Sequence, residues 1–124
     1  MTLQESGEMY LETILILSKK NGSVHSIDIS REMGVSKPSV SRAVNKSKAD
    51  KYIDINDNLE ISLSNSGKEI ASRIYERHQI LTETLISIGV SPETAAEDAC
   101  RIEHVISEES FNTIKKHMKE LTHR

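Results

Sequence analysis

The sequence predicts a mainly α protein: three helices, a two-stranded hairpin, then three more helices. Two short helical stretches flank Gly34, an alternating pair of β segments follows them, and beyond Ser64 apolar residues recur by threes and fours. Only Tyr10, Tyr52, Tyr75 and Phe111 are aromatic among 124 residues, so any core is aliphatic.

The first helix spans about Glu8 to Lys19, with Leu11, Ile14, Leu15 and Ser18 on one side and Asn21-Gly22 closing it. Ser26 stands where an N-cap belongs, ahead of a second helix over Ile27 to Met33. Gly34 supplies the turn. A third helix has Ser36 as N-cap and Pro38 in its first turn, where a missing N–H costs nothing, and runs to about Lys48. Ile53 and Ile55 then match Leu59, Ile61 and Leu63 across Asn56-Asp57-Asn58, the pattern of a hairpin. The long fourth helix begins near Ser64 and ends at Gly89; Ile70, Ile74, His78, Leu81, Leu85 and Ile88 make its stripe. Ser91-Pro92-Glu93 has the order N-cap, proline, first-turn acid that opens a fifth helix. The last carries Phe111, Ile114, Met118 and Leu121 on one face. No repeat and no flexible linker interrupts the series.

Length and charge exclude several classes. A barrel enzyme or a full doubly wound sheet needs roughly 200 residues or more. With 36% hydrophobic and 28% charged residues, the chain is too apolar and too evenly charged to be disordered. It is also small and polar enough that burial within one copy is limited, which favours an oligomer. No stretch approaches the roughly 18 apolar residues of a membrane helix, and Met1 to Glu8 lacks secretory features. The single cysteine, Cys100, cannot form an internal disulfide, so a reducing, cytoplasmic setting is expected.

Helix, glycine turn, second helix and hairpin is the layout of a winged helix-turn-helix, here over residues 1–64. Ile29, Met33 and Val35 can pack against Val40, Ala43 and Val44. The third helix then offers Lys37, Ser39, Ser41, Arg42 and Lys46, behind Ser36 and Pro38, as a small polar face. Short hydroxyls permit close approach to base edges, an arginine can grip guanine bidentately, and lysines suit phosphates. Net charge is −3, yet residues 36–51 hold five basic groups (Lys37, Arg42, Lys46, Lys48, Lys51) against Asp50 alone. That local excess is the electrostatic footprint of a double-stranded DNA reader. The bland alternative is a solvated basic helix in a protein–protein module; the wing arriving in the right order argues against it. The wing itself, with Asp54, Asp57 and Glu60, is acidic and should not lie along phosphates.

The most specific chemistry sits on the fifth helix. Cys100, Glu103 and His104 occupy i, i+3 and i+4, one face of a helical turn. Ala95, Ala99, Ile102 and Ile106 form the apolar stripe on another face, so this cysteine is not placed as core filler. Thiolate, carboxylate and imidazole together suit a transition metal rather than Ca²⁺ or Mg²⁺. Met9 and Glu12 on the first helix and His78 on the fourth are further candidates. Taken singly, these read more simply as core, solvated face and buried histidine.

Glu8-Met9-Tyr10-Leu11-Glu12, Val35-Ser36-Lys37-Pro38-Ser39-Val40-Ser41, Arg77-His78 and Ala99-Cys100-Arg101-Ile102-Glu103-His104-Val105 stand in an order and spacing that closely resemble the iron-dependent repressor family. That family includes the diphtheria toxin repressor and manganese transport regulator group. The resemblance covers about residues 6 to 120. It implies a homodimer, with residues 65–124 as a helical metal-binding and dimerisation domain. A divalent metal would act as co-repressor on operators of metal-uptake genes. By position, Met9, Cys100, Glu103 and His104 match the primary site of the iron-responsive branch, whereas Glu12 and His78 match ligands of the manganese-responsive branch. Thr82 and Ala96 replace a glutamate and a histidine of the iron branch's second site. Arg42 stands where the family has a base-contacting glutamine.

The expectation is therefore a metal-dependent repressor, not an enzyme, with no small organic substrate and no membrane partner. The soft donors Met9 and Cys100 favour Fe²⁺ over Mn²⁺, and Zn²⁺ or Co²⁺ would also fit. The competing reading is a metal-independent winged-helix regulator with Cys100 as an oxidant sensor. Peroxide rather than chelator would switch that protein.

Overall fold

The computed structural model describes residues 5–122. Helix α1 (Glu5–Asn21) leads into α2 (Ser26–Met33) and α3 (Lys37–Ala49), then strands β1 (Ile53–Ile55) and β2 (Ile61–Leu63). Helices α4 (Asn65–Ser87), α5 (Pro92–Ile102) and α6 (Glu108–Thr122) follow. The chain divides into two units inside α4, one through Ser72 and the other from Arg73.

In the first unit α1 packs on α2, α3 and β2. Leu11, Ile14, Leu15 and Leu17 are buried, so α1 is apolar over more of its circumference than one stripe requires. Its end is set by Gly22, whose φ of 85° no other residue adopts as cheaply and whose N–H returns to the Ser18 carbonyl at 3.0 Å. The N-cap of α2 is His25 rather than Ser26. Asp28 explains the shift: its carboxylate accepts the His25 backbone N–H at 2.9 Å, which fixes that residue as the last extended one. Ser36 caps α3 as the sequence predicts, accepting from the Ser39 N–H at 3.3 Å. Ile29, Val40 and Val44 are buried, while Met33, Val35 and Ala43 are half-buried.

Strands β1 and β2 pair antiparallel, Ile53 with Leu63 and Ile55 with Ile61. A third edge meets the hairpin at one bond, Ile61 N–H to the Val24 carbonyl at 2.7 Å. Leu59 is not part of the ladder. The Asn56 side-chain oxygen accepts from the N–H groups of Asn58 and Glu60, both at 2.9 Å, and folds the tip into a wider loop. Leu59 is thereby left at φ 60° and 71% exposed. A left-handed conformation costs a leucine about 1 kcal/mol or more, whereas asparagine tolerates it. Leu59→Asn is therefore expected to stabilise the chain by about 1 kcal/mol, read as a higher urea midpoint at unchanged slope. A lower midpoint would show that Leu59 makes a contact worth more than the strain.

In the second unit Ile74 and Leu81 of α4 are buried with Ala95, Ala99 and Phe111. Ile88, expected to extend the stripe of α4, lies past its end and is 74% exposed. Ser91 caps α5 ahead of Pro92, and Ser107 accepts the Ser110 N–H at 3.1 Å at the start of α6. Lys115 on α6 pairs with Glu76 on α4 at 2.9 Å.

Candidate metal centre and nucleic-acid interface

Helix α5 ends at Ile102, after Cys100 but one residue before Glu103. Beyond Ile102 the chain turns, and the Ile102 carbonyl accepts from both Val105 at 3.0 Å and Ile106 at 2.9 Å. Glu103 is thus the C-cap, and His104 lies in the turn that follows. The expectation that Cys100, Glu103 and His104 share one helical face holds only for the backbone up to the cap.

Within the second unit this turn faces α4. His78 Nδ1 lies 2.9 Å from Glu103 Oε2, and His104 Nε2 lies 3.4 Å from Glu103 Oε1. The side chains of Glu103 and His104 have no solvent exposure, and that of His78 is 28% exposed. An ionised carboxylate withdrawn from water costs several kcal/mol unless charge and hydrogen bonds compensate it. Yet Glu103 Oε1 has no hydrogen-bond partner. An orphaned buried oxygen with ring nitrogens beside it fits a divalent cation, which would take the carboxylate oxygen and the imidazoles as hard and borderline donors.

Three predicted ligands are therefore gathered in the second unit: His78, Glu103 and His104. Cys100, one turn earlier on α5, is half-buried and forms no disulfide. On α1, Met9 is half-buried, its carbonyl accepting the Thr13 hydroxyl at 2.8 Å. Glu12 is 7% exposed, so its reading as a solvated face is corrected. Glu8, one turn earlier and 8% exposed, was not singled out by the sequence; only its i, i+4 spacing to Glu12 hinted at a shared face. Thr82, at the second-site position, spends its hydroxyl on the His78 carbonyl at 2.6 Å.

Arg77 is the other residue that sequence reasoning left without a role. It is 9% exposed, and one amino group, Nη1, donates to the carbonyls of Glu103 at 3.2 Å and Ile106 at 3.0 Å. Its guanidinium carbon sits 5.4 Å from the centre of the Phe111 ring. A lone arginine in a helical pattern carries no local signal for this.

The first unit presents α3 as predicted. Ser36, Lys37, Pro38, Ser41, Arg42 and Lys46 are exposed, and Val40, Val44 and Ser47 turn inward. Ser39 is half-buried; its hydroxyl accepts from Ser36 Oγ at 2.9 Å and from Arg42 Nη2 at 3.3 Å. Arg42 is thereby held along the first turn of α3, where helix N–H groups also favour anions. On the wing Asp54 and Asp57 are exposed, and Glu60 accepts from the Asn56 amide at 3.0 Å.

Residues 2–59 match the iron dependent repressor N-terminal DNA binding domain, and residues 64–124 match the iron dependent repressor metal binding and dimerisation domain. The chain belongs to the iron-dependent repressor family. It is 32% identical to the transcriptional regulator MntR of Escherichia coli O6:H1 over 106 residues, which are 86% of this chain and 68% of the relative. To the HTH-type transcriptional regulator MntR of Bacillus subtilis it is 33% identical over 109 residues, 88% of this chain and 77% of the relative. Among solved structures, that of the manganese regulator SloR is similar with a TM-score of 0.81 and 25% identity. The match covers 96% of this chain and 55% of that one, so this repressor-family chain spans little more than half of SloR. These relatives are transcriptional regulators, not enzymes. Among the described residues no helix is long and apolar enough to cross a membrane.

Proposed function

We propose that this family member is a metal-dependent transcriptional repressor, cytoplasmic, that binds operator DNA as a homodimer when loaded with a divalent transition metal. The observation that carries the reading is the buried Glu103 carboxyl group, with one oxygen unpartnered and two imidazoles beside it. Glu103, His104 and His78 would hold the ion, with Met9, Glu12 and Cys100 as the further ligands that the sequence resemblance implies. Bound there, a divalent ion supplies positive charge to the carboxylate and a fixed geometry to its ligands. Lys37 and Lys46 are assigned to phosphates, Ser36, Pro38, Ser39 and Ser41 to close approach, and Arg42 to a base edge. A homodimer carries two such helices, suited to successive major grooves.

Donor chemistry divides the choice of metal. Met9 and Cys100 are soft and favour Fe²⁺, the preference expected from sequence. The donors gathered around Glu103 are nitrogen and oxygen, which suit Mn²⁺ equally, and SloR is a manganese regulator. Mn²⁺ is therefore proposed as the effector and Fe²⁺ as its alternative, in metal-homeostasis control.

The test uses duplexes selected from a random pool by the metal-loaded protein. Anaerobic fluorescence anisotropy should show tight binding with Mn²⁺ or Fe²⁺, at least tenfold weaker binding after chelation, and insensitivity to metal in His104→Ala. Wild-type affinity that survives chelation, or a switch driven by peroxide alone, would overturn the reading.

A further inference from the structure

Two successive residues of α4 grip opposite ends of Glu103. His78 meets its carboxylate at 2.9 Å, and Arg77 takes its backbone carbonyl at 3.2 Å. The same amino group of Arg77 reaches the Ile106 carbonyl at 3.0 Å, so one guanidinium closes both ends of the turn 103–106. The Glu103 carbonyl is that of the C-cap, which α5 leaves without an intrahelical donor, and the Ile106 carbonyl lies in the segment between α5 and α6. The turn's own bonds are spent elsewhere: the N–H groups of Val105 and Ile106 both go to Ile102, and that of Glu103 goes to Ala99. The guanidinium carbon of Arg77 lies over the ring of Phe111, a residue 4% exposed near the start of α6. A cation at a helix C-terminus is favoured by the peptide dipoles, and a cation over an aromatic face is attracted by the ring's electrons.

We infer that Arg77 is a positioning residue for the metal centre: it sets the turn that carries Glu103 and His104 and ties that turn to α6. The inference rests on the reading of Glu103 and His104 as ligands. Arg77 itself touches no metal. Its side chain is cationic and would repel one, so any effect on affinity must travel through the turn. Three contacts from one planar group define where the Glu103 Cα sits, and the His78 ring orients the carboxylate beyond it. Lysine in this place keeps the charge but reaches the carbonyls on a flexible stem and lacks the delocalised guanidinium over Phe111.

The test is a titration of chelator-stripped full-length protein with Co²⁺, reading both affinity and the visible absorption bands, alongside thermal unfolding without metal. Outer-shell partners of metal ligands are commonly worth about 10–100-fold in affinity. Arg77→Met, which keeps the apolar stem, should lose about 10-fold or more with altered bands, and Arg77→Lys should recover only part of this. Phe111→Leu, which removes the ring beneath the guanidinium and leaves the hydrogen bonds, should show a smaller loss in the same direction. It serves as the deciding variant if Arg77→Met fails to fold. Wild-type affinity and bands in a folded Arg77→Met, or in Phe111→Leu when it must decide, would overturn the inference. Glu103→Gln separates the two levels. If it too binds Co²⁺ like wild type, the site reading fails; if it loses binding while the Arg77 and Phe111 variants do not, only the positioning role fails.

Discussion

Glu103→Gln should raise the melting temperature of the metal-free protein while abolishing its tight metal binding. The two effects share one cause. Glu103 has no solvent exposure, and its Oε1 has no hydrogen-bond partner. Withdrawing a carboxylate from water costs several kcal/mol, and a buried oxygen left without a hydrogen bond costs about 1–3 kcal/mol. Glutamine has the same shape and no charge, and its amide can keep the hydrogen bond to His78, so about 1–3 kcal/mol of stabilisation is expected, several degrees in a chain of this size. The same exchange removes the anionic oxygen that a divalent ion requires, for a loss of at least 100-fold in affinity. Calorimetric unfolding of stripped protein, paired with an anaerobic Mn²⁺ titration, measures both. A lower melting temperature with metal binding intact would mean that Glu103 serves the fold and not the ion.

Gly67→Ala should cost the first unit about 3 kcal/mol or more, the largest loss expected of so small a change. Alanine in place of a helical glycine ordinarily stabilises by roughly 0.5–1 kcal/mol. Here the sign reverses. A Cβ on Gly67, in the first turn of α4, would strike the Tyr52 carbonyl oxygen and lie 3.3 Å from Leu63 Cδ2. The Tyr52 peptide cannot step aside. Its oxygen accepts the Ser64 N–H at 2.9 Å and its N–H is bound to the Ser47 carbonyl at 2.9 Å. The preceding carbonyl, of Lys51, holds the hydroxyls of Ser64 at 2.7 Å and Ser66 at 3.2 Å. Urea unfolding followed by circular dichroism gives the measurement, and a midpoint at or above wild type would show that this approach is soft.

What was legible in the sequence was whatever a local pattern encodes. Ser36 and Ser91 announce their helices because a hydroxyl, a proline and an acid or a polar turn suffice to cap one. Alternation found the wing. It overcounted by Leu59 because the Asn56 side chain, not hydropathy, decides where the ladder ends. Spacing marked Glu103 and His104 as partners, though the helix it assumed ends at Ile102. The resemblance supplied the metal and DNA roles that spacing alone left open, and the family match of both halves of the chain supports that assignment. Gly67 and Arg77 were opaque for a common reason. Their importance lies in carbonyl groups 15 and 26 residues away, and backbone carbonyls leave no trace in a sequence.

The unbroken course of α4 from Asn65 to Ser87 bears on how such a protein can be inherited. Gly67 and Ala71 are buried as part of the first unit, whereas Ile74, Arg77 and Leu81 are buried as part of the second. Exchange of one half between relatives at a loop-like junction near residue 60 would hand the first unit a foreign Gly67 position and a foreign Ala71. A crossover that respects the packing must instead fall inside a helix, between Ser72 and Arg73, where any insertion or deletion rotates every later side chain by about 100° per residue. Shuffling is thus tolerated only where the crossover keeps the helical register, without a change in length.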